Sequence, residues 1–243
     1  FLDAPQTAAR DVWIRSGKRA APNGGVMRTA VTAIPYYWDA GRVQDTTVKF
    51  CTTTHADPRC VASCVTVAEC ARQMLLRTSS ADDANQESSE TANSFIDSAM
   101  RRVNDMNLNE TFDVDEYERY ATMTTLDELK LDDPQSIGYT LKCMGTGLWA
   151  LREFESRRRA TAKSTATTSA VVLEILQEIV AQGGDADTNA TVAGALLGAR
   201  VGYSKLPNDC LVELPYMVWL EAWVQKVLFL MGLPTTISVP PSE

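Results

Sequence analysis

The residues best placed to do chemistry stand together at Gly183-Gly184-Asp185-Ala186-Asp187-Thr188-Asn189, where two carboxylates and a hydroxyl fall within four positions. Upstream, residues 164–182 carry Val172, Leu173, Ile175, Leu176, Ile179 and Val180 in the stripe of a helix with one buried face, and the pattern stops at Gly183. Downstream, residues 188–203 are rich in Ala, Leu and Gly, side chains small enough for a second helix to pack closely on its neighbours. The turn between them holds the acids. Asp187 is expected at the N-cap of the second helix with Asp185 just before it, so both carboxylates lie near the positive end of a helix dipole and stay ionised. Hard oxygen ligands of this kind suit Mg²⁺, Mn²⁺ or Ca²⁺ rather than zinc. Two plainer readings compete. In one, Asp187 or Thr188 simply caps a helix, against which stand the second Asp and the Gly pair. In the other, Asp185-x-Asp187-x-Asn189 opens a calcium loop of the EF-hand type. That loop needs Gly at its sixth position and Glu at its twelfth, where this chain has Ala190 and Leu196.

The elements that must position this turn read as helices. Residues 4–16 form a short helix burying Val12, Trp13 and Ala9. Pro22, Asn23, Gly24 and Gly25 then mark a loop of unusual backbone angles, of the sort that offers N–H groups to a phosphate. Residues 43–76 read as helix, break at His55-Ala56-Asp57-Pro58, and helix, with Pro58 in the first turn and Asp57 as its cap. His55, the single histidine, is by itself a capping or core-edge residue. Residues 78–93 are polar and Ser-rich and read as an exposed insertion. Helices follow at 94–104, 113–120 and 125–129, and residues 136–154 carry Ile137, Leu141, Met144, Leu148 and Leu151 on one side. Tyr139 opens that helix either as a stacking platform or as a core residue. Gly145-x-Gly147 is too little for a dinucleotide fingerprint, with no strand before it. Residues 206–233 form an amphipathic closing helix with its aromatic residues packed, and residues 234–243 a loose tail. No strand alternation or repeat is visible, so the fold class is all-α, one domain over residues 1–243.

A net charge of −8 excludes a binder of the nucleic-acid backbone, which needs clustered Lys and Arg. No apolar run is long enough to span a bilayer. Cys60 and Cys64 lie one helical turn apart, where disulfide geometry is poor. With one His and no C-x-x-C pair, the six cysteines read as free thiols in a reducing, intracellular and cytoplasmic compartment rather than as zinc ligands.

Four of these segments resemble the ADP-ribosylglycohydrolase family, which includes dinitrogenase-reductase-activating glycohydrolases, ADP-ribosylhydrolases and a crystallin relative. They are the run GGDADTNATVAGALLGARVGY from Gly183, the loop Asn23-Gly24-Gly25-Val26-Met27-Arg28, the segment Thr54-His55-Ala56-Asp57-Pro58 and the pair Gly138-Tyr139. The resemblance implies a compact orthogonal multi-helix bundle that hydrolyses the glycosidic bond between ADP-ribose and a protein side chain or related conjugate. It also implies metal-ligand roles for Asp185, Asp187 and Thr188 toward a pair of Mg²⁺ or Mn²⁺ ions. Asn23, Gly24, Gly25 and Met27 would contact the ADP-ribose. His55 would lie beside the nucleotide, binding rather than transferring a proton, and Tyr139 near the adenine. In the family a Thr-Asp-Asp cluster and an early acidic residue hold the ions from the other side. This chain has no such cluster, since Asp132-Asp133 follows Leu131 and leads into Pro134. The resemblance therefore implies a member lacking its N-terminal part and the acidic catalytic residue within it, monomeric, acting on ADP-ribose or an ADP-ribosylated protein. The alternatives are a non-catalytic ADP-ribose-binding or crystallin-like structural member, and an orphan helical domain whose Asp-x-Asp is only a cap.

Overall fold

A computed structural model describes residues 3–78, 91–109, 111–160 and 167–235. In chain order its helices are α1 (Pro5–Arg15), α2 (Val26–Thr29), α3 (Ala40–Thr52), α4 (Pro58–Thr78), α5 (Ala92–Asp105), α6 (Val114–Thr122), α7 (Leu126–Leu129), α8 (Thr140–Ala160), α9 (Thr168–Ala181), α10 (Ala186–Val201), α11 (Asn208–Val212) and α12 (Met217–Leu230), with 3-10 turns at Ala30–Tyr36 and Tyr203–Lys205. The described residues contain no strand, only an isolated bridge between Pro22 and Tyr139, and the all-α class holds. No helix among them is long and apolar enough to cross a membrane.

The bundle is organised on α8 and α4. In α8 buried residues occur on every side, from Thr140 to Leu151 without interruption, which is the signature of a helix surrounded by others rather than laid on a surface. One side joins α3, α4, α5, α6 and part of α10 in a core that includes Ile96, Tyr117, Leu141, Met144 and Leu196. The other packs with α7, α9 and α10 through Leu129, Trp149, Phe154, Ile175, Ile179 and Leu197. The two glycines read against a dinucleotide fingerprint are explained by this packing. A Cβ on Gly145 would lie 2.8 Å from Leu129 Cδ2 and 2.9 Å from the Tyr120 carbonyl oxygen, and one on Gly147 would lie 2.8 Å from Val192 Cγ1. Each lets a neighbouring element approach the α8 backbone.

Local chemistry sets several helix starts. Asp39, Asp113 and Thr125 cap α3, α6 and α7 with side-chain oxygens, the last as a reciprocal capping box with Glu128. Other expectations need correction. Val12 is exposed, and α1 buries Ala9 and Trp13 alone. α8 begins at Thr140, because Gly138 takes a positive φ of 73° and ends a turn; Ile137 is exposed. The closing segment is two helices, and α12 buries none of its side chains. It is apolar nearly all round, so no polar face tells periodicity which side to bury. Of the expected insertion, residues 79–90 lie outside the described residues, while Ala92 and Asn93 belong to α5. Of the expected tail, residues from 236 onward likewise lie outside them.

Candidate functional site

The α9–α10 turn passes close to the backbone at Leu131. Gly183 and Gly184 have φ values of 72° and 65°, the left-handed region that glycine enters without strain. Space adds a second requirement at Gly184, where a Cβ would lie 2.0 Å from the Leu131 carbonyl oxygen. The chain then enters α10 with Asp185 at the N-cap position, not Asp187. Asp187 lies within the first turn, and its Oδ1 accepts the N–H of Thr188, at 2.9 Å. Both residues suit a cap, and the earlier one takes it because the helix starts at Ala186.

Asp185 makes no capping bond; its carboxylate turns outward to Asn23, whose Nδ2 donates to Oδ2 at 2.7 Å. Burial opposes ionisation of Asp185, but the hydrogen bonds donated by Asn23 and Thr188 outweigh it and hold the carboxyl below its usual range. Asn23 is buried, and its backbone N–H donates to the Gly138 carbonyl at 2.8 Å, while Thr140 N–H donates to Ala21 at 3.0 Å. One asparagine therefore joins the 21–28 loop, the entry to α8 and the acidic turn. Thr188 is buried, with Oγ1 3.7 Å from the Met27 sulfur.

Gly24 and Gly25 rest on His55. A Cβ on Gly24 would lie 3.2 Å from His55 Nε2, and one on Gly25 would lie 3.4 Å from both the ring and the Cys64 sulfur. Arg28 donates to Thr54 Oγ1, which is 2.6 Å from His55 Nδ1. Burial, and then the Arg28 charge, push the imidazole pKa below 6.5, so the ring is neutral at neutral pH. Tyr139 stands beyond the Asn23–Gly138 contact. Its hydroxyl donates to Glu116 Oε1 at 2.9 Å and receives Arg59 Nη1 at 3.4 Å, and burial pushes its phenol pKa up.

All nine residues singled out in the sequence thus gather at one end of the bundle: Asn23, Gly24, Gly25, Met27, His55, Tyr139, Asp185, Asp187 and Thr188. Sequence reasoning missed the layer beneath them. Cys51, Cys60 and Cys143 donate S–H to the carbonyls of His55, Pro22 and Thr188 at 3.6, 3.3 and 3.6 Å, one thiol under each segment. All three thiols are buried and none of the described cysteines forms a disulfide. Burial raises the pKa of Cys60 and Cys143, and for Cys51 the neighbouring Cys64 does so first and burial second. They are neutral packing groups. Asp57, expected as a cap, receives the Arg59 N–H; unforeseen were the further bonds its carboxylate accepts from the Arg59 guanidinium and the Trp13 indole.

The turn that Gly184 touches continues into Asp132 and Asp133. Asp133 receives Ser136 Oγ at 2.7 Å and Gln135 N–H at 3.0 Å and lies 3.8 Å from the buried amine of Lys142, which spends its carboxylate on the turn. The described residues hold no group of three or more His, Cys, Asp or Glu side chains able to hold a metal ion. Asp185, Asp187 and Thr188 nevertheless present only hard oxygens. The Thr188 hydroxyl lies 3.7 Å from the Met27 sulfur and also bonds the Asp185 carboxylate, and as a hard oxygen beside two carboxylates it fits part of the coordination of an oxygen-seeking divalent ion.

A family model described as ADP-ribosylglycohydrolase matches residues 2–235 of the chain. No curated protein matches it.

Proposed function

The chain belongs to the ADP-ribosylglycohydrolase family, and we propose that it takes part in metal-dependent hydrolysis of the glycosidic bond between ADP-ribose and a protein side chain or related conjugate. Membership carries glycohydrolase chemistry on substrates that contain ADP-ribose. The observation that supports the finer reading is the Asn23–Asp185 hydrogen bond of 2.7 Å, which joins the loop assigned to ADP-ribose and the turn assigned to metal.

In this reading Asp185, Asp187 and Thr188 would hold Mg²⁺ or Mn²⁺, and the chemistry such an ion would supply is orientation of the ribose hydroxyls and a lowered pKa for a water. Asn23 fixes the orientation of the Asp185 carboxylate, as an outer-shell partner does for a ligand. Asp187, exposed on the first turn of α10, completes the pair of carboxylates at the positive end of the helix. Asn23, Gly24, Gly25 and Met27 contact the ADP-ribose from the loop side. His55, neutral and packed under Gly24, contributes shape and hydrogen bonding without a proton transfer. Tyr139 supplies an aromatic face for the adenine.

One observation favours a second reading, a non-catalytic ADP-ribose binder or crystallin-like structural member on the same fold: the turn offers two carboxylates where cleavage through an oxocarbenium-like state asks for ions and an acid or base together. Calorimetry of the chain with ADP-ribose, with and without Mg²⁺ and repeated on Asp187→Ala, separates the cases. Metal-dependent binding lost in the variant supports the first reading, metal-independent binding the second, and no binding under any condition sinks both.

A further inference from the structure

The ring of Tyr139 is oriented by groups that lie outside every segment carrying the family resemblance. Its backbone is fixed on both sides by the bonds from Asn23 to Gly138 and from Thr140 to Ala21. The side chain is only partly buried, so packing alone leaves its χ angles loose. Three contacts restrain it. Tyr120 meets it edge-on, with centroids 5.7 Å apart and planes at 74°. Glu116, from α6, accepts its hydroxyl at 2.9 Å. Arg59, from the first turn of α4, reaches that hydroxyl at 3.4 Å and sets its guanidinium carbon 5.6 Å from the ring centroid.

Arg59 is itself immobilised. Its Nε and Nη2 donate to Asp57 Oδ1 and Oδ2 at 2.9 and 2.8 Å, its backbone N–H donates to Oδ1 at 2.9 Å, and Nη2 also reaches the Arg19 carbonyl at 3.1 Å. Trp13 Nε1 donates to Oδ2 at 2.9 Å. Four donors thus converge on a carboxylate that is 2 % exposed, which saturates its acceptor capacity. The fork geometry of Arg with carboxylate is rigid, and so the orientation of Tyr139 is referred to a fixed point in the core.

We propose that Arg59 and Glu116 are positioning residues that hold the Tyr139 ring in the pose needed to stack a purine base, and thereby set how strongly the site prefers a base-bearing nucleotide over the bare sugar phosphate. The inference rests on the reading of Tyr139 as the base platform given above. Stacking depends on ring orientation. A role confined to folding would affect both ligands alike.

The test is calorimetry with ADP-ribose and with ribose 5-phosphate on the wild type, Tyr139→Leu, Tyr139→Phe, Glu116→Ala, Glu116→Gln and the double variant Tyr139→Phe/Glu116→Ala. Glu116→Ala and Tyr139→Phe are each expected to weaken ADP-ribose about threefold to tenfold, the span of one hydrogen bond, and to leave ribose 5-phosphate unchanged. Glu116→Gln keeps an acceptor for the hydroxyl and is expected to restore most of the affinity. The double variant is expected to be no weaker than Tyr139→Phe alone, since loss of the hydroxyl already removes the bond to Glu116. Arg59→Met should act in the same direction. It leaves the buried Asp57 without its cation, however, so the Glu116 series carries the test if that variant fails to fold.

If Tyr139→Leu weakens ADP-ribose while Glu116→Ala does not, the platform stands and the positioning is overturned. Equal weakening of both ligands by Glu116→Ala, or additive effects in the double variant, overturns it as well. If Tyr139→Leu binds ADP-ribose as the wild type does, the base-platform reading itself fails. Absence of ADP-ribose binding by the wild type removes both.

Discussion

Asn23 and Asp185 stand 162 positions apart and share a 2.7 Å hydrogen bond, and through the Asn23 backbone the same residue is tied to Gly138. Three segments that are loops or helix ends, each free to fray alone, are therefore fixed to one another at the point where the acidic turn begins. The amide is the right group for this contact. It donates to a carboxylate without adding charge, so Asp185 stays ionised.

Replacing Asn23 with Ala removes the side-chain donor that the 21–28 loop gives to Asp185. In the proposed function it should weaken Mg²⁺-dependent ADP-ribose binding by about tenfold or more, the usual effect of losing an outer-shell partner. Stability should fall by only about 1 kcal/mol, the worth of one hydrogen bond. Asn23→Asp should do worse, because it sets a second carboxylate against Asp185. Calorimetry beside a thermal melt checks both halves, and a variant that melts early while binding normally would reverse the assignment.

Gly184 should be intolerant of any side chain. Gly184→Ala places a methyl group 2.0 Å from a carbonyl oxygen and also forces a positive φ on an L residue. Gly183→Ala meets nothing within 4 Å and suffers the left-handed backbone alone, about 1–2 kcal/mol. Denaturant unfolding should therefore rank Gly184→Ala clearly below Gly183→Ala in stability. Equal losses would mean that the contact with Leu131 gives way freely.

What the sequence made legible follows the range of the interactions involved. Pro58 and Asp57 announced the start of α4 because capping acts within a few residues. The break read at residues 55–58, which falls at 53–57, and the stripe of α9, except for the exposed Val180, were likewise local patterns. The N-cap of α10 was misplaced by two residues, since Asp185 and Asp187 have equal capping chemistry and only the tertiary bond to Asn23 shows which one the turn uses. Gly145 and Gly147 carried no readable meaning until Tyr120, Leu129 and Val192 were set against them. The thiol layer was hidden for the same reason. Cys51, Cys60 and Cys143 find their partners in backbone carbonyls of separate segments, which side-chain patterns do not reveal.

His55 provides a pH test with a defined sign. Its folded pKa lies below 6.5, first through burial and then through the charge of Arg28, so the folded chain binds its proton less readily than the unfolded chain does. The corresponding stability is fully present above the unfolded value of about 6.5 and is lost as pH falls through the folded one. Urea unfolding at pH 7.5 and at successive values below 6.5 should show this decline, and His55→Asn should flatten it over that window. No other histidine contributes. A decline unchanged in His55→Asn would assign it to carboxylates instead.

The five tryptophans separate the core from the closing helix. Trp149 is 6 % exposed within the α8–α9–α10 core and Trp13 is hydrogen-bonded to Asp57, whereas Trp219 is 63 % exposed and Trp223 and Trp38 are exposed too. Acrylamide should therefore quench a large share of the emission, and Trp219→Ser/Trp223→Ser should remove most of that share. The double variant should stay within about 0.5 kcal/mol of the wild type, as surface changes do, whereas Trp149→Ala should cost about 3–5 kcal/mol through the cavity it leaves. The aromatic spacing in residues 206–233 suggested the opposite, a packed face. If the double variant loses as much stability as Trp149→Ala, then α12 is seated in the folded protein through those rings and the periodic pattern was the better guide. If it does not, their apolar surface serves no part of the fold around Asp185.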